Sequence, residues 1–218
     1  MKKNLYKNKY NKGHANRQAG MTLVELMVVL AIFLIVAGLT IFDYGRFRSS
    51  VSLQNLSDDV ALSIRRAQNY AIGVRNSSSS FANGYGIHFN TALPVSGDAR
   101  AGSSKRFIIF NDLNANKRYD YPGSSSALCN ATTLQDGDEC IDMLNITTDD
   151  IIYQICPNGL NCGSGNVGIT FIRPNPDATI CINGDCSSYS NVGIVVKNNQ
   201  TGNTKTISVS SIGQISIE

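Results

Sequence analysis

Gly20-Met21-Thr22-Leu23-Val24-Glu25 opens an apolar stretch that continues to Phe42. The residues from Met21 to Phe42 include one charged side chain, that of Glu25. At about 1.5 Å per residue, a helix of this length spans the roughly 30 Å hydrocarbon core of a bilayer. The stretch therefore predicts a transmembrane helix over residues 21–42 that carries one carboxylate near its N-terminal end.

Residues 1–20 form a basic leader with six Lys and Arg side chains and no acidic residue. This excess of cations predicts a cytoplasmic N-terminus, so the chain after Phe42 is expected to be exported. The whole chain has 19 Lys and Arg against 16 Asp and Glu, and the leader accounts for this positive balance. Without the leader the chain is acidic, which disfavours a general attraction to nucleic acid.

A carboxylate at membrane depth either reaches the headgroup region or has a functional partner. The glycine five positions before Glu25 and the basic leader favour a functional partner over a side chain that only reaches the interface. An ordinary secretory signal peptide is the main alternative. Its apolar region should be only about 7 to 15 residues long and end at a small-x-small site, which Val36-Ala37-Gly38 imitates poorly.

These residues resemble the prepilin signal of type IV pilins and type II secretion pseudopilins, which has a glycine before the cleaved bond and Glu as the fifth mature residue. The resemblance implies that a prepilin peptidase cleaves between Gly20 and Met21 and methylates the new amine. It implies that Glu25 pairs with the N-terminal amine of a neighbouring subunit during assembly. The implied location is the inner membrane, with a single span, a cytoplasmic N-terminus and an exported C-terminal domain. Met21 departs from the family's commoner Phe, and the leader is longer than the shortest pilin leaders.

An amphipathic pattern continues beyond the apolar stretch. Apolar residues recur at helical spacing at Leu53, Leu56, Val60, Ile64, Ala67, Ala71 and Val74. This stripe predicts that the helix continues to about Arg75 and packs on the exported domain through one face. The predicted organisation is a leader over 1–20, a membrane and assembly helix over 21–42, its exported continuation over 43–75 and a β-rich head over 76–218.

The head has short β-type segments separated by Gly, Asn, Asp and Ser. Strands are predicted over residues 84–89, 106–110, 151–155, 167–172, 178–182, 193–196, 205–209 and 214–217. The predicted fold class is α+β, with the long N-terminal helix packed on one antiparallel sheet or on two sheets.

All six cysteines lie in the head, where an oxidising compartment favours disulfides. Asn183-Gly184 is a strong two-residue hairpin signal that places Cys181 opposite Cys186. Cys156 and Cys162 can close a second small loop, which leaves Cys129 and Cys140 as a third pair. Other connectivities stay open, since six cysteines allow 15. A zinc site is the weaker alternative, because no C-x2-C pair is present and His88 is the one histidine after the leader.

A loop after the second predicted strand carries oxygen-bearing side chains at alternating positions: Asp112, Asn114, Asn116 and Asp120. This spacing can surround calcium, although Lys117 and Gly123 stand where an EF-hand has glycine and glutamate. The alternative is a turn in which these side chains bond their own backbone. H-type pseudopilins carry a similar stretch, so the loop also adds to the resemblance.

The order of the later motifs resembles that of the pseudopilin H and FimT family. The resemblance implies a minor pseudopilin, which is a structural subunit without catalytic activity. It implies no resident cofactor other than the calcium ion considered above. A FimT-like minor pilin that binds DNA for uptake is the alternative. Its candidate cations are Arg100, Lys105, Arg106, Lys197 and Lys205. The segment Gly213-Gln-Ile-Ser216 lacks the arginines that FimT-like proteins carry there, which weakens this alternative. A third hypothesis is an anchored domain that never assembles.

Overall fold

The computed structural model describes residues 20–73, 84–93, 102–120, 129, 139–187 and 189–218, with the backbone alone for residues 40–43. Residue contacts divide the chain into two compact units, Met1–Tyr44 and Gly45–Glu218. One long helix and two antiparallel sheets make up the described secondary structure. The predicted α+β fold class is thus confirmed.

In the first unit, the described side chains belong to the start of helix α1 (Leu23–Ile72). The apolar side chains from Leu23 to Val36 are exposed on every side of the helix. Among the described residues, α1 is the one helix long and apolar enough to cross a membrane, with a mean hydropathy of 2.7 over its most apolar window. A helix segment whose described side chains are apolar and exposed all round is suited to lipid.

In the second unit, α1 presents the predicted apolar stripe to the sheets. The buried stripe residues are Leu53, Leu56, Val60, Ile64, Ala67 and Ala71. The helix ends at Ile72, where the amide of Gly73 donates to the carbonyl of Asn69. The remaining predicted helical positions, Val74 and Arg75, lie outside the described residues.

Among the described residues, nine strands form the two sheets. They are β1 (Gly84–Asn90), β2 (Arg106–Asp112), β3 (Cys140–Asn145), β4 (Asp150–Pro157), β5 (Asn166–Phe171), β6 (Ala178–Ile182), β7 (Asn191–Asn198), β8 (Thr204–Ser210) and β9 (Ile215–Ile217). The first sheet has the order β3-β2-β1-β5-β6, and the second has the order β4-β7-β8-β9. All eight predicted strands are present. Strand β3 was not predicted. It lies at a sheet edge, where most of its side chains are only half-buried, and its sequence does not alternate clearly between apolar and polar residues.

Alternate side chains of both sheets meet the helical stripe in one core. The first sheet contributes large residues such as Phe89, Phe107 and Phe171, and the second contributes aliphatic residues such as Ile194 and Ile207. Residues at intervening positions of β2 face the other side of the first sheet and form a second, smaller cluster there. The loop after β2 covers this outer face, since the hydroxyl of Thr170 donates to the carbonyl of Lys117 at 3.0 Å.

The helical stripe gives a direct stability test. Ile64 is fully buried, so Ile64→Ala should lower the free energy of unfolding of the second unit by about 2 to 5 kcal/mol. Leu62 is 60% exposed two residues earlier on the same helix, and Leu62→Ala should change it by less than about 0.5 kcal/mol. Urea denaturation in micelles, followed by near-UV circular dichroism of the tyrosines, measures both. Equal losses would contradict the packing of α1 on the sheets.

Candidate functional site

The predicted cleavage junction lies outside regular secondary structure, directly before the helix. Gly20 and Met21 are exposed and precede the first helical residue, Leu23. A protease must draw its substrate into an extended form, and the peptide bond between Gly20 and Met21 is not part of the helical hydrogen-bond ladder. The local structure is therefore suited to cleavage at this bond.

Thr22 and Glu25 form a reciprocal capping box at the N-terminus of α1. The amide of Glu25 donates to Oγ1 of Thr22 at 3.2 Å, and the amide of Thr22 donates to Oε2 of Glu25 at 3.0 Å. The hydroxyl of Thr22 also donates to Oε2 of Glu25 at 2.9 Å. The carbonyl of Thr22 accepts the first helical bond from Leu26 at 3.2 Å. Two otherwise unpaired backbone amides are thereby satisfied.

This capping box explains how a single carboxylate is held near the end of an apolar helix. Among the described residues, each donor to Oε2 belongs to Thr22, so the two side chains fix one another. The α-amine created by cleavage would belong to Met21, directly before Thr22. The carboxylate of Glu25 is thus held beside the residue at which a new positive charge would appear.

The second unit contains three disulfides: Cys129–Cys140, Cys156–Cys162 and Cys181–Cys186. They are the three pairs that the sequence analysis favours. Their sequence separations are 11, 6 and 5 residues, so each closes a short loop. No described cysteine is free.

The hairpin between β6 and Cys186 has the predicted geometry. Ile182 and Asp185 exchange both backbone hydrogen bonds, at 2.7 and 2.9 Å. Asn183 and Gly184 have φ values of 48° and 83°, the positive values that a type I′ turn requires. Beyond this closing pair, the Cα atoms of the Cys181–Cys186 disulfide are 4.0 Å apart.

The Asp112 loop is closed by hydrogen bonds between its own residues. The carboxylate of Asp112 accepts the amides of Asn116 and Lys117 at 3.1 and 2.8 Å. Oδ2 of Asp120 accepts from the side-chain amides of Asn114 and Asn116 at 2.5 and 2.7 Å. In this orientation the carboxamides turn their nitrogens, not their oxygens, toward Asp120. The arrangement is that of an Asx-rich turn.

Glu139 joins this loop from the residue before β3. Its two carboxylate oxygens accept the amides of Leu113 and Asp120 at 3.0 and 2.7 Å. Its side chain is 2% exposed, and burial raises its pKa to about 7, with the charges of Asp120 and Asp112 adding to the effect. Burial likewise raises the pKa of Asp112. Three carboxylates thus approach one another. Backbone amides donate to Asp112 and Glu139, and side-chain amides donate to Asp120.

The four predicted calcium ligands do not form a cation cage as they stand. Within the described ranges, no group of three or more His, Cys, Asp or Glu side chains has the geometry to hold a metal ion. Calcium would require the carboxamides of Asn114 and Asn116 to turn their oxygens toward Asp120, since these groups now point nitrogens at it. Calcium binding stays a prediction, and the hydrogen bonds favour the alternative, a self-bonded turn.

Two of the candidate cations for DNA, Lys105 and Lys197, contact other residues of the second unit. The ammonium of Lys105 donates to the carbonyls of Thr148 and Asp150. Lys197 lies over the ring of Tyr153, 4.4 Å from its centroid.

Of the remaining described candidates, Arg106 also has a partner, and Lys205 lies on the other face of its sheet from Lys197. Arg106 donates through Nε to Asn145 at 2.6 Å. Lys205 pairs with Val196, the neighbour of Lys197, so the side chains of Lys197 and Lys205 project from opposite faces of the second sheet. Arg100 lies outside the described residues. No specific observation therefore favours a DNA-binding surface.

Residues 15–41 match a family model described as the prokaryotic N-terminal methylation motif. The match supports a type IV pilin-like protein, a class whose members are processed by prepilin peptidase and assemble with other pilin subunits. With the apolar helix, it fits a single-pass, membrane-anchored protein. Neither a search of curated proteins nor one of solved structures gave a match.

Sequence reasoning missed two residues of these sites. Thr22 could have been found, because Thr22-Leu-Val-Glu25 has the T-x-x-E spacing of a capping box. Glu139 carries no such signal, since it is 27 positions after Asp112 in the sequence and only the pairing of β2 with β3 brings them together.

The raised pKa of Glu139 predicts how stability depends on pH. The folded state holds this proton more tightly than the unfolded chain, so the free energy of unfolding should fall as the pH rises from about 4.5 to about 7. The loss is at most about 3 kcal/mol. Thermal denaturation of the wild-type chain and of Glu139→Gln, at pH values across this window, measures it.

Glu139→Gln should flatten the slope and leave a smaller one from Asp112, whose pKa is shifted in the same direction. Asp59→Asn, an exposed carboxylate on α1, controls for the loss of one charge. An unchanged slope in Glu139→Gln would show that this carboxyl is not the responsible group.

Proposed function

We propose that this chain is a minor pseudopilin, a structural subunit of a type II secretion or type IV pilus-like filament. In this proposal, prepilin peptidase cleaves after Gly20 and methylates the amine of Met21. Residues 21–42 remain in the inner membrane as anchor and assembly helix, with the leader on the cytoplasmic side. The second unit is the exported head.

The observation that carries the proposal is the capping box between Thr22 and Glu25. The capping box lies directly after the exposed cleavage junction, at the N-terminus of α1. Among the described residues, α1 is the one helix long and apolar enough to cross a membrane. Cleavage would place an ammonium group beside a carboxylate that the helix end already holds. In a low-dielectric setting such charges are stable only when paired. Staggered neighbouring subunits can supply that pairing.

The rest of the proposal concerns catalysis, cofactors and calcium. We propose that it has no catalytic activity and no resident cofactor, and that any calcium bound by the Asp112 loop has a structural role. Support comes from the self-bonded loop and from the position of His88 on β1, where it packs on the ring of Tyr119 at 5.4 Å between centroids. The DNA-binding alternative has no comparable support.

Processing is tested by the mass of the mature chain. Co-expressed with a prepilin peptidase, the wild-type protein should have the mass of Met21–Glu218 with one added methyl group. Gly20→Val puts a β-branched side chain at the cleaved bond and should leave most of the chain uncleaved. Gly38→Val is the matched control, because a Cβ at Gly38 meets no atom within 4 Å. A wild-type chain that still begins at Met1 would contradict the proposal.

Assembly is tested by separating the charge of Glu25 from its role in the cap. Glu25→Gln retains an oxygen that can accept the amide of Thr22 but removes the negative charge. It should be cleaved normally and lose cross-linking to other filament subunits by about tenfold or more, because the partner amine is left unpaired.

Thr22→Ala is the reciprocal variant, since it removes the hydroxyl of the cap and keeps the carboxylate. It should weaken the helix end by about 1 kcal/mol and retain cross-linking. Normal cross-linking by Glu25→Gln would contradict this role of the Glu25 charge, whereas absence of cross-linking by the wild-type chain would favour an anchored domain that never assembles.

A further inference from the structure

A cavity of about 370 Å³ lies on the outer face of the first sheet, away from the helix. Its floor comes from neighbouring positions of β1 and β5, since His88 pairs with Gly168 and Asn90 pairs with Asn166. Paired residues project from the same face of a sheet. The floor is therefore polar and is lowest at Gly168, which has no side chain.

Two loops form the walls of this cavity. The loop after β2 contributes Arg118 and Tyr119, and the turn after β6 contributes Asn183 and Gly184. Tyr119 is held in place by ring contacts with His88 and Phe110, at 5.4 and 5.6 Å between centroids. The Cys181–Cys186 disulfide fixes the turn. The walls are thus braced without a ligand.

Arg118 supplies the cavity with a positive charge. Its side chain is exposed, and the described residues hold a single ion pair, which is Arg66 with Asp142. Asp185 interacts electrostatically with Arg118 without forming an ion pair, and its oxygens accept from Ser187 and Tyr189. The guanidinium of Arg118 is therefore available to an anion. Among the described residues no carboxylate lines the cavity.

The amide side chains supply donors and acceptors for hydroxyl groups. The carboxamide of Asn166 forms no hydrogen bond with the described residues. Oδ1 of Asn183 accepts the amide of Asn166 at 2.9 Å, and its Nδ2 donates to no described residue. A carboxamide offers both donors and an acceptor, which complements a hydroxyl group that also does both. The guanidinium offers a fork that matches a carboxylate.

We propose that this cavity binds a carboxylated monosaccharide, a sugar acid of the hexuronate type. Arg118 holds the carboxylate, and the carboxamides of Asn166 and Asn183 bind ring hydroxyls. The volume lies at the lower end of the range for small-molecule sites, about 300 to 1,000 Å³, and suits one sugar ring. This binding site is independent of the N-terminal segment and of filament assembly.

Three probes separate the contributions of the two kinds of group. D-glucuronate carries a carboxylate and ring hydroxyls, D-glucose carries the hydroxyls alone, and acetate carries the carboxylate alone. Saturation-transfer difference NMR on the full chain, in a detergent without a sugar headgroup, measures the binding of each. Glucuronate should bind at least about fivefold more tightly than either of the others, because only it engages both parts of the site. If acetate binds as tightly as glucuronate, the proposal that the ligand is a sugar is wrong. If glucuronate does not bind, the proposal of a binding site in this cavity is wrong.

Two variants place the binding in this cavity. Arg118→Gln should weaken glucuronate binding by about tenfold, whereas Arg65→Gln, an exposed arginine on α1, should not.

Gly168→Val should also abolish binding, because its side chain occupies the floor without changing the charge. A Cβ at Gly168 lies 3.9 Å from its nearest atom, the carbonyl oxygen of Lys117, so the substitution can be accommodated. Unchanged melting temperatures verify that both variants fold. Glucuronate binding as tight as that of the wild-type chain, in either folded variant, would overturn the assignment to this cavity.

Discussion

Burial of one apolar stripe on α1 is the constraint on which the rest of the second unit depends. The two sheets belong to separate hydrogen-bonded ladders, and their inward faces share a single core with residues 53–71 of the helix. Removal of the stripe would leave both sheets with an exposed apolar face, because each sheet is buried on that side by the same helix. The disulfides and the Asp112 loop are built on the scaffold that this core holds.

The two halves of α1 differ in how their apolar side chains are distributed around the helix. Between Leu23 and Val36 its side chains are apolar on all sides, and from Leu53 onward they are apolar on one face only. This change in pattern is visible in the sequence, which is why the helix, the stripe and the α+β class could be predicted. The hairpin at Asn183-Gly184 could be predicted for a similar reason, since its geometry is set by two adjacent residues.

What could not be predicted depends on contacts between distant segments. Strand β3 has no clear alternation because it pairs with one neighbour at an edge, and the burial of Glu139 follows from that pairing. The cavity likewise requires residues from β1, β5 and two loops to meet on one face. Thr22 is a different case, because its capping signal is local: Thr22 and Glu25 have the T-x-x-E spacing that the sequence itself displays.

The short spans of the three disulfides have a consequence for how this domain reaches its native state. Each bridge joins cysteines within 11 residues or fewer, so none connects the helix to a sheet or one sheet to the other. Oxidation can therefore proceed segment by segment as a chain emerges on an oxidising side of a membrane, before the sheets have formed. Long-range topology is left to the core, and the covalent links secure the loops at its periphery.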